Sequence, residues 1–182
     1  MKNNISIVAV SGSLRENSSA TNVLMEVAKL FPGFAEVIVY NGVGKLPHFN
    51  DSDVVPFEVE EWRQLIKKAD GVIICQPEYA FGVAGSLKNA LDWLVGSGSL
   101  DNKPLALITA ATGGDKAHNA MLLTLTALNA NVAEAANMVI PFVRAKLNNK
   151  GELADTEVIQ SLKIVTQALL KTIDENIAAA SG

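Results

Sequence analysis

Cysteine occurs once in this 182-residue sequence, at Cys75, so no internal disulfide can form. That usage fits a reducing compartment, and the chain reads as cytoplasmic. Histidine occurs twice, without cysteine partners, which excludes a structural zinc site of ordinary ligand spacing. No Lys/Arg cluster of five or more relieves the net charge of −4. This excludes the broad basic footprint of a nucleic-acid binder and a polybasic membrane anchor. An anionic ligand must therefore be met locally. The run Ile5 to Val10 is shorter than a signal-peptide core, and no other run approaches a membrane span. Linkers, charge blocks, internal repeats and low-complexity tracts are also missing. With 49% of residues hydrophobic, the chain reads as one domain over residues 1–182.

What is present is an alternation of two periodicities. Apolar runs of strand length occur at Ile5 to Val10, Val37 to Tyr40, Val72 to Cys75, Leu105 to Thr109 and about Asn137 to Ile140. Segments of helical spacing lie around them: Ser19 to Leu30, Phe57 to Ala69, Gly85 to Val95, Lys116 to Asn129 and Asp155 to Ala179. In the third of these, Leu87, Ala90, Leu91 and Leu94 form one stripe. Continuous runs such as "GVIIC" fit strands covered on both faces, so the expected fold is α/β: a three-layer α/β/α domain with a parallel sheet. Residues 41–56, including "LPHFNDSD", make a longer connection than usual and are expected to form a functional loop.

In a parallel sheet every loop after a strand's carboxyl end lies on one edge, where ligands bind. After the first strand, "SGSLRENS" places Ser11, Ser13, Arg15 and Ser18 at the start of a helix, whose amides and positive end suit an anion. The loop is not a P-loop, because the second glycine and the Lys-Ser/Thr pair are absent. It is not a dinucleotide fingerprint either, since G-x-G-x-x-G is missing and the second strand ends in Tyr40-Asn41 without a ribose-binding acid. A terminal monophosphate fits, and an ordinary serine-rich helix cap is the plain alternative.

After the third strand comes "QPEYAFGVAGSLKNALDW". Here Pro77 fixes a turn, Tyr79 offers a flat face, and Gly82 and Gly85 are expected to let backbone approach a planar heterocycle. Glu78 reads as a hydrogen-bond anchor or partner of a helix dipole, with proton transfer as the alternative role. After the fourth strand, Thr112, Gly113 and Gly114 precede a helix and expose backbone donors on the same edge.

Together, "GSLRENS", "PEYAFGVAGSLKNALDW" and "ATGG" resemble the NAD(P)H-dependent FMN reductases of flavodoxin-like fold, a family that includes azoreductases, quinone reductases and chromate reductases. The resemblance covers nearly the whole chain and implies a five-stranded parallel sheet of order 2-1-3-4-5. It implies that Ser13, Arg15 and Ser18, beside Ser11, hold the FMN phosphate. Pro77, Glu78, Tyr79 and the Ala80 backbone would border the isoalloxazine, and Thr112, Gly113 and Gly114 would close the other side. NAD(P)H would deliver hydride to flavin N5, so no side chain is expected to be catalytic in its own right. The partner would be a small electron acceptor, and the assembly a homodimer or homotetramer with the third helix as a contact face. The sequence carries Ala20, Ala80 and Ala84 where many members carry Asn, Asn or His, and Pro, respectively. A flavodoxin-type electron carrier and a flavin-free regulatory domain of the same fold stay open on these residues alone.

Cys75, inside an apolar strand, reads as a small hydrophobe. His48, in the long loop, and His118, on the fourth helix, read as exposed or core histidines, with His48 within reach of a substrate. Trp62 and Trp93 are expected in the core or a subunit contact.

Overall fold

The computed structural model describes residues 4–180. Five parallel strands form one sheet in the order β2-β1-β3-β4-β5. They are β1 (Ile5–Ser11), β2 (Ala35–Tyr40), β3 (Gly71–Gln76), β4 (Leu105–Ala110) and β5 (Asn137–Ile140). The helices are α1 (Ser19–Ala28), α2 (Phe57–Lys68), α3 (Gly85–Asp92), α4 (Asp115–Ala127) and α5 (Thr156–Ala180). Every residue of β3 and β4 is buried. That burial is the cause of their unbroken apolar runs, since both faces meet helices.

Successive side chains alternate between two cores. Val8, Val10, Val72, Ile74 and Leu107 pack against Trp62 of α2, Leu87 and Leu91 of α3, and Met121 of α4. Ile7, Ala9, Ile73, Cys75 and Ile108 pack against Val23 and Leu24 of α1 and Leu162 and Leu169 of α5. Burial of each such side chain stabilises the fold by about 1.5–3 kcal/mol relative to exposure. The α3 stripe is buried as its spacing implies.

Strand order reverses at β1, with β2 on one side and β3 on the other. The resulting crevice opens where the β1 and β3 loops part. Gly12 pins that point: its amide donates to the Cys75 carbonyl at 2.8 Å. A Cβ on Gly12 would lie 2.9 Å from Leu87 Cδ2 and 3.0 Å from Gln76 Cβ. Only glycine fits there.

Four helices stop short of their sequence periodicity, α2 by a single residue. At the end of α1, the Lys29 and Leu30 amides donate to the carbonyls three residues back, at 3.2 and 2.9 Å. This is the tightening that helix ends use for their orphan groups. After α3 the chain passes into a 3-10 turn over Val95–Ser97, and Gly98 adopts φ +61°. After α4, Asn129 at φ +53° ends the helix.

The long connection after β2 is fastened to α3. Asn89 Oδ1 accepts from the Phe49 amide at 2.8 Å, and Asn89 Nδ2 donates to the Pro47 carbonyl at 3.0 Å. Trp93 Nε1 also donates to Pro47, at 2.8 Å, and the Phe49 ring meets Trp93 edge-on at 5.1 Å. Trp93 is thus a buried latch, 1% exposed, rather than a subunit contact. Trp62 donates to the Ala90 carbonyl at 2.9 Å and stacks on Tyr40 at 4.5 Å.

Candidate functional site

The β1–α1 loop is shaped by its own hydroxyls. Ser18 caps α1, its Oγ accepting from the Thr21 amide at 3.0 Å. Thr21 Oγ1 lies 2.8 Å from the hydroxyls of both Ser11 and Ser18. With those groups engaged, the amides of Ser19 and Ala20 open the helix without acceptors of the helix's own. Ser13 is buried; its Oγ accepts from the Arg15 amide and lies 3.3 Å from the Tyr79 hydroxyl. Arg15 is exposed and makes no ion pair among the described residues.

The β3–α3 loop closes on itself. Tyr79 and Gly82 exchange backbone hydrogen bonds of 3.1 and 2.9 Å, leaving Ala80 and Phe81 as a two-residue turn at φ +49° and +60°. Such a turn ordinarily takes Asn-Gly, and each left-handed non-glycine residue costs on the order of 1–3 kcal/mol. The left-handed positions of this loop thus fall on Ala80 and Phe81 rather than on its glycines. Gly82 occupies a paired position, and nothing lies within 4 Å of a Cβ built on Gly85. Glu78 turns away from the tip: its Oε2 accepts from the Ala117 amide in the first turn of α4 at 3.0 Å. That is the anchoring role, with the carboxylate at the positive end of a helix.

The β4–α4 loop enters α4 through Gly114 at φ +117°. A Cβ there would lie 2.8 Å from Val139 Cγ1. The carbonyls of Thr112 and Ala111 accept from the amides of Phe142 and Val143, both at 3.1 Å. These bonds draw the turn Val143–Lys146, which follows β5, onto the same edge.

All four loops meet around a cavity of about 110 Å³. Of the residues expected from the sequence, Arg15, Ser18, Pro77, Glu78, Tyr79 and Thr112 line it. Ser11 and Ser13 instead line a neighbouring cleft of about 550 Å³, shared with Arg15 and reaching Tyr40 and Asn41. Ala80, Gly113 and Gly114 line neither. Ala80 sits at an exposed turn tip, Gly113 is exposed beside Glu78, and Gly114 is buried against Val139. Ala20, singled out in the sequence as a departure from the family pattern, forms part of the wall from α1. Among the lining residues that the sequence did not point to is Arg144, which enters from the turn after β5.

Beneath the edge runs a buried polar chain. Gln76 Nε2 donates to Thr109 Oγ1 at 3.2 Å and to the Ala117 carbonyl at 3.0 Å, while its Oε1 has no partner. Thr109 Oγ1 lies 2.9 Å from His118 Nδ1, and His118 Nε2 lies 3.3 Å from Asn137 Oδ1. Asn137 Nδ2 donates to the carbonyls of Ala133 and Glu134, so its Oδ1 is the acceptor for His118 Nε2–H. Nδ1 is then the acceptor for Thr109, which describes a neutral ring. Burial holds the His118 imidazole below its ordinary value, against the opposing effects of Asn137 and Asp115. His118 is thus the core histidine. His48 is exposed and lines neither cavity. Burial pushes the Cys75 thiol far up, as an inert hydrophobe requires.

The donor set matches a phosphate monoester: free helix amides, a guanidinium without a carboxylate partner, and hydroxyls that hold the loop in place. Tyr79 offers an exposed aromatic side chain at the same cavity. The family model for NADPH-dependent FMN reductases matches residues 5–145. The subunit CrdA of the NADH:(hydroxy)cinnamate reductase of Vibrio ruber is 28% identical over 92% of this chain and 90% of that protein. A quinone reductase of Escherichia coli is 35% identical over 62% of this chain and 63% of its own. Among solved structures, the flavoenzyme NAD(P)H:(acceptor) oxidoreductase FerB of Paracoccus denitrificans superposes with a TM-score of 0.82 at 25% identity, covering 94% of this chain and 98% of that one. With its sheet order and the greater part of its length matched, this chain belongs to the NADPH-dependent FMN reductase family.

Proposed function

We propose that the cavity edge holds FMN by its phosphate, and that the chain passes electrons from NADH or NADPH to a small acceptor. The supporting observation is the convergence of Arg15, Ser18, Glu78, Tyr79 and Thr112 from three loops onto one cavity at the start of α1. Bound there, FMN supplies the redox chemistry, accepting hydride from the nicotinamide and releasing electrons to the acceptor. The chain's own residues bind and orient. Arg15 meets the phosphate with charge-assisted hydrogen bonds, and the Ser19 and Ala20 amides add donors aligned with the helix axis. Tyr79, fixed by its pairing with Gly82 and its approach to Ser13, borders the ring. Glu78 keeps α4 and the β4 loop in register with the β3 loop through Ala117.

Relatives named as quinone reductase, NADPH azoreductase and NADH-dependent flavin reductase point to an acceptor that meets an exposed ring rather than a deep pocket. Quinones, azo compounds, free flavins and metal oxyanions share that property. A homodimer or homotetramer is the proposed assembly.

An absorbance spectrum of the purified chain, followed by anaerobic NADPH addition, tests the reading directly. Flavin bands that bleach on addition support it; a colourless protein that takes up no added FMN defeats it. Arg15→Ala is expected to weaken FMN binding by about ten- to a hundredfold, the size of a lost charge-assisted contact.

A further inference from the structure

We propose that Arg144 is a second phosphate-binding residue for FMN, acting together with Arg15; this rests on the reading of the cavity edge as the FMN site. The two arginines belong to loops that follow β1 and β5, with β3 and β4 between them in the sheet. Both line the same cavity of about 110 Å³, together with Ser18 and Thr112.

Arg144 is held there by backbone. The Phe142 and Val143 amides donate to the Thr112 and Ala111 carbonyls, and Phe142 takes φ +50° to begin the turn that carries Arg144. A non-glycine residue in that region is uncommon and persists where surrounding structure enforces it. Asp155 is paired with Lys146 of the same turn rather than with Arg144. Arg144 itself makes no ion pair among the described residues.

Charge balance gives the second guanidinium its purpose. A phosphate monoester carries about −1.5 to −2 near neutral pH. Arg15 supplies one positive charge and the start of α1 about half of another, while Glu78 brings a negative charge to the same wall. Arg15 and the helix thus leave a dianion under-compensated in a chain of net charge −4. Arg144 makes up the deficit from the other side of the β3 and β4 loops. Riboflavin, which lacks the phosphate, has no use for either arginine.

The test compares FMN and riboflavin titrations, by flavin fluorescence, of the full-length chain freed of flavin. Arg144→Ala is expected to weaken FMN by about tenfold or more while changing riboflavin less than twofold. Arg144→Lys should restore part of the loss. An unchanged FMN affinity, or equal losses for both ligands, would overturn the proposal. Loss of FMN preference in Arg15→Ala but not in Arg144→Ala also overturns it, leaving the FMN site standing. Absence of any preference for FMN over riboflavin in the unaltered chain defeats the underlying reading as well.

Discussion

Substitution of Glu78 separates an anchor from a proton-transfer residue, because the two roles predict opposite pairs of measurements. In Glu78→Gln the side-chain carbonyl can still accept from the Ala117 amide, a contact of 3.0 Å in the native chain, but without charge. A hydrogen bond to an ionised acceptor contributes about 1.5–3 kcal/mol, against about 0.5–1.5 for a neutral pair. The favourable placement at a helix start adds about 0.3–1 kcal/mol. Glu78 is half-buried, so solvent reduces both differences, and the expected net loss is about 1 kcal/mol. Glu78→Ala removes the acceptor altogether, for an expected loss of about 2 kcal/mol. In a domain of this size that corresponds to a fall in Tm of about 3 °C for Gln and about 6 °C for Ala. Scanning calorimetry reads the two values, and NADPH oxidation at saturating acceptor reads the turnover. A residue that moves a proton in the transition state is worth about 10²–10⁴ in rate, whereas displacement of an anchored loop in Glu78→Gln is expected to slow turnover less than tenfold. A hundredfold slower Glu78→Gln enzyme with an unaltered Tm would refute the anchoring argument.

Two other perturbations follow from the structure. His118 is held neutral below its ordinary value of 6.5, so the unfolded chain takes up its proton first as pH falls. Stability should therefore decline from about pH 6.5 downward with a single-proton slope until the folded pKa is reached, and be constant above that window. His118→Gln should flatten this limb in a Tm-against-pH series; an identical limb in both proteins would assign it to another group. Asn89→Ala removes the hydrogen bonds to Phe49 and Pro47, each worth about 1 kcal/mol at an exposed site. Amide exchange at Phe49 should accelerate by about tenfold, and an unaltered rate would mean that Trp93 alone holds the loop.

The parallel sheet was legible because burial on both faces writes itself into β3 as an uninterrupted "GVIIC". The stripe of Leu87, Ala90, Leu91 and Leu94 likewise identified the inner face of α3. The left-handed turn at Ala80 and Phe81 was not legible, because local propensity assigns such conformations to glycine and the backbone pairing of Tyr79 with Gly82 overrides it here. Asn89 and Trp93 belong to the motif that carries the family resemblance, yet they fasten residues 47–49, a task visible only once the β2–α2 connection folds back over α3. Arg144 was hidden for a related reason. It reaches the edge through the β4–β5 pairing and two loop hydrogen bonds, both between segments far apart in sequence. Gln76, Thr109 and His118 come together by the same kind of long-range packing, which no periodicity encodes.

Parallel strands place every cavity loop on one edge, so the opposite edge is available for handling the protein without obstructing the cavity. Gly33, in the connection before β2, lies on that opposite edge, is exposed, and has nothing within 4 Å of a Cβ built on it. The native thiol at Cys75 is sealed in the central sheet. In a Gly33→Cys chain the introduced sulfur is therefore the accessible one, giving a single orientation for attachment to an electrode or bead with the cavity edge facing outward.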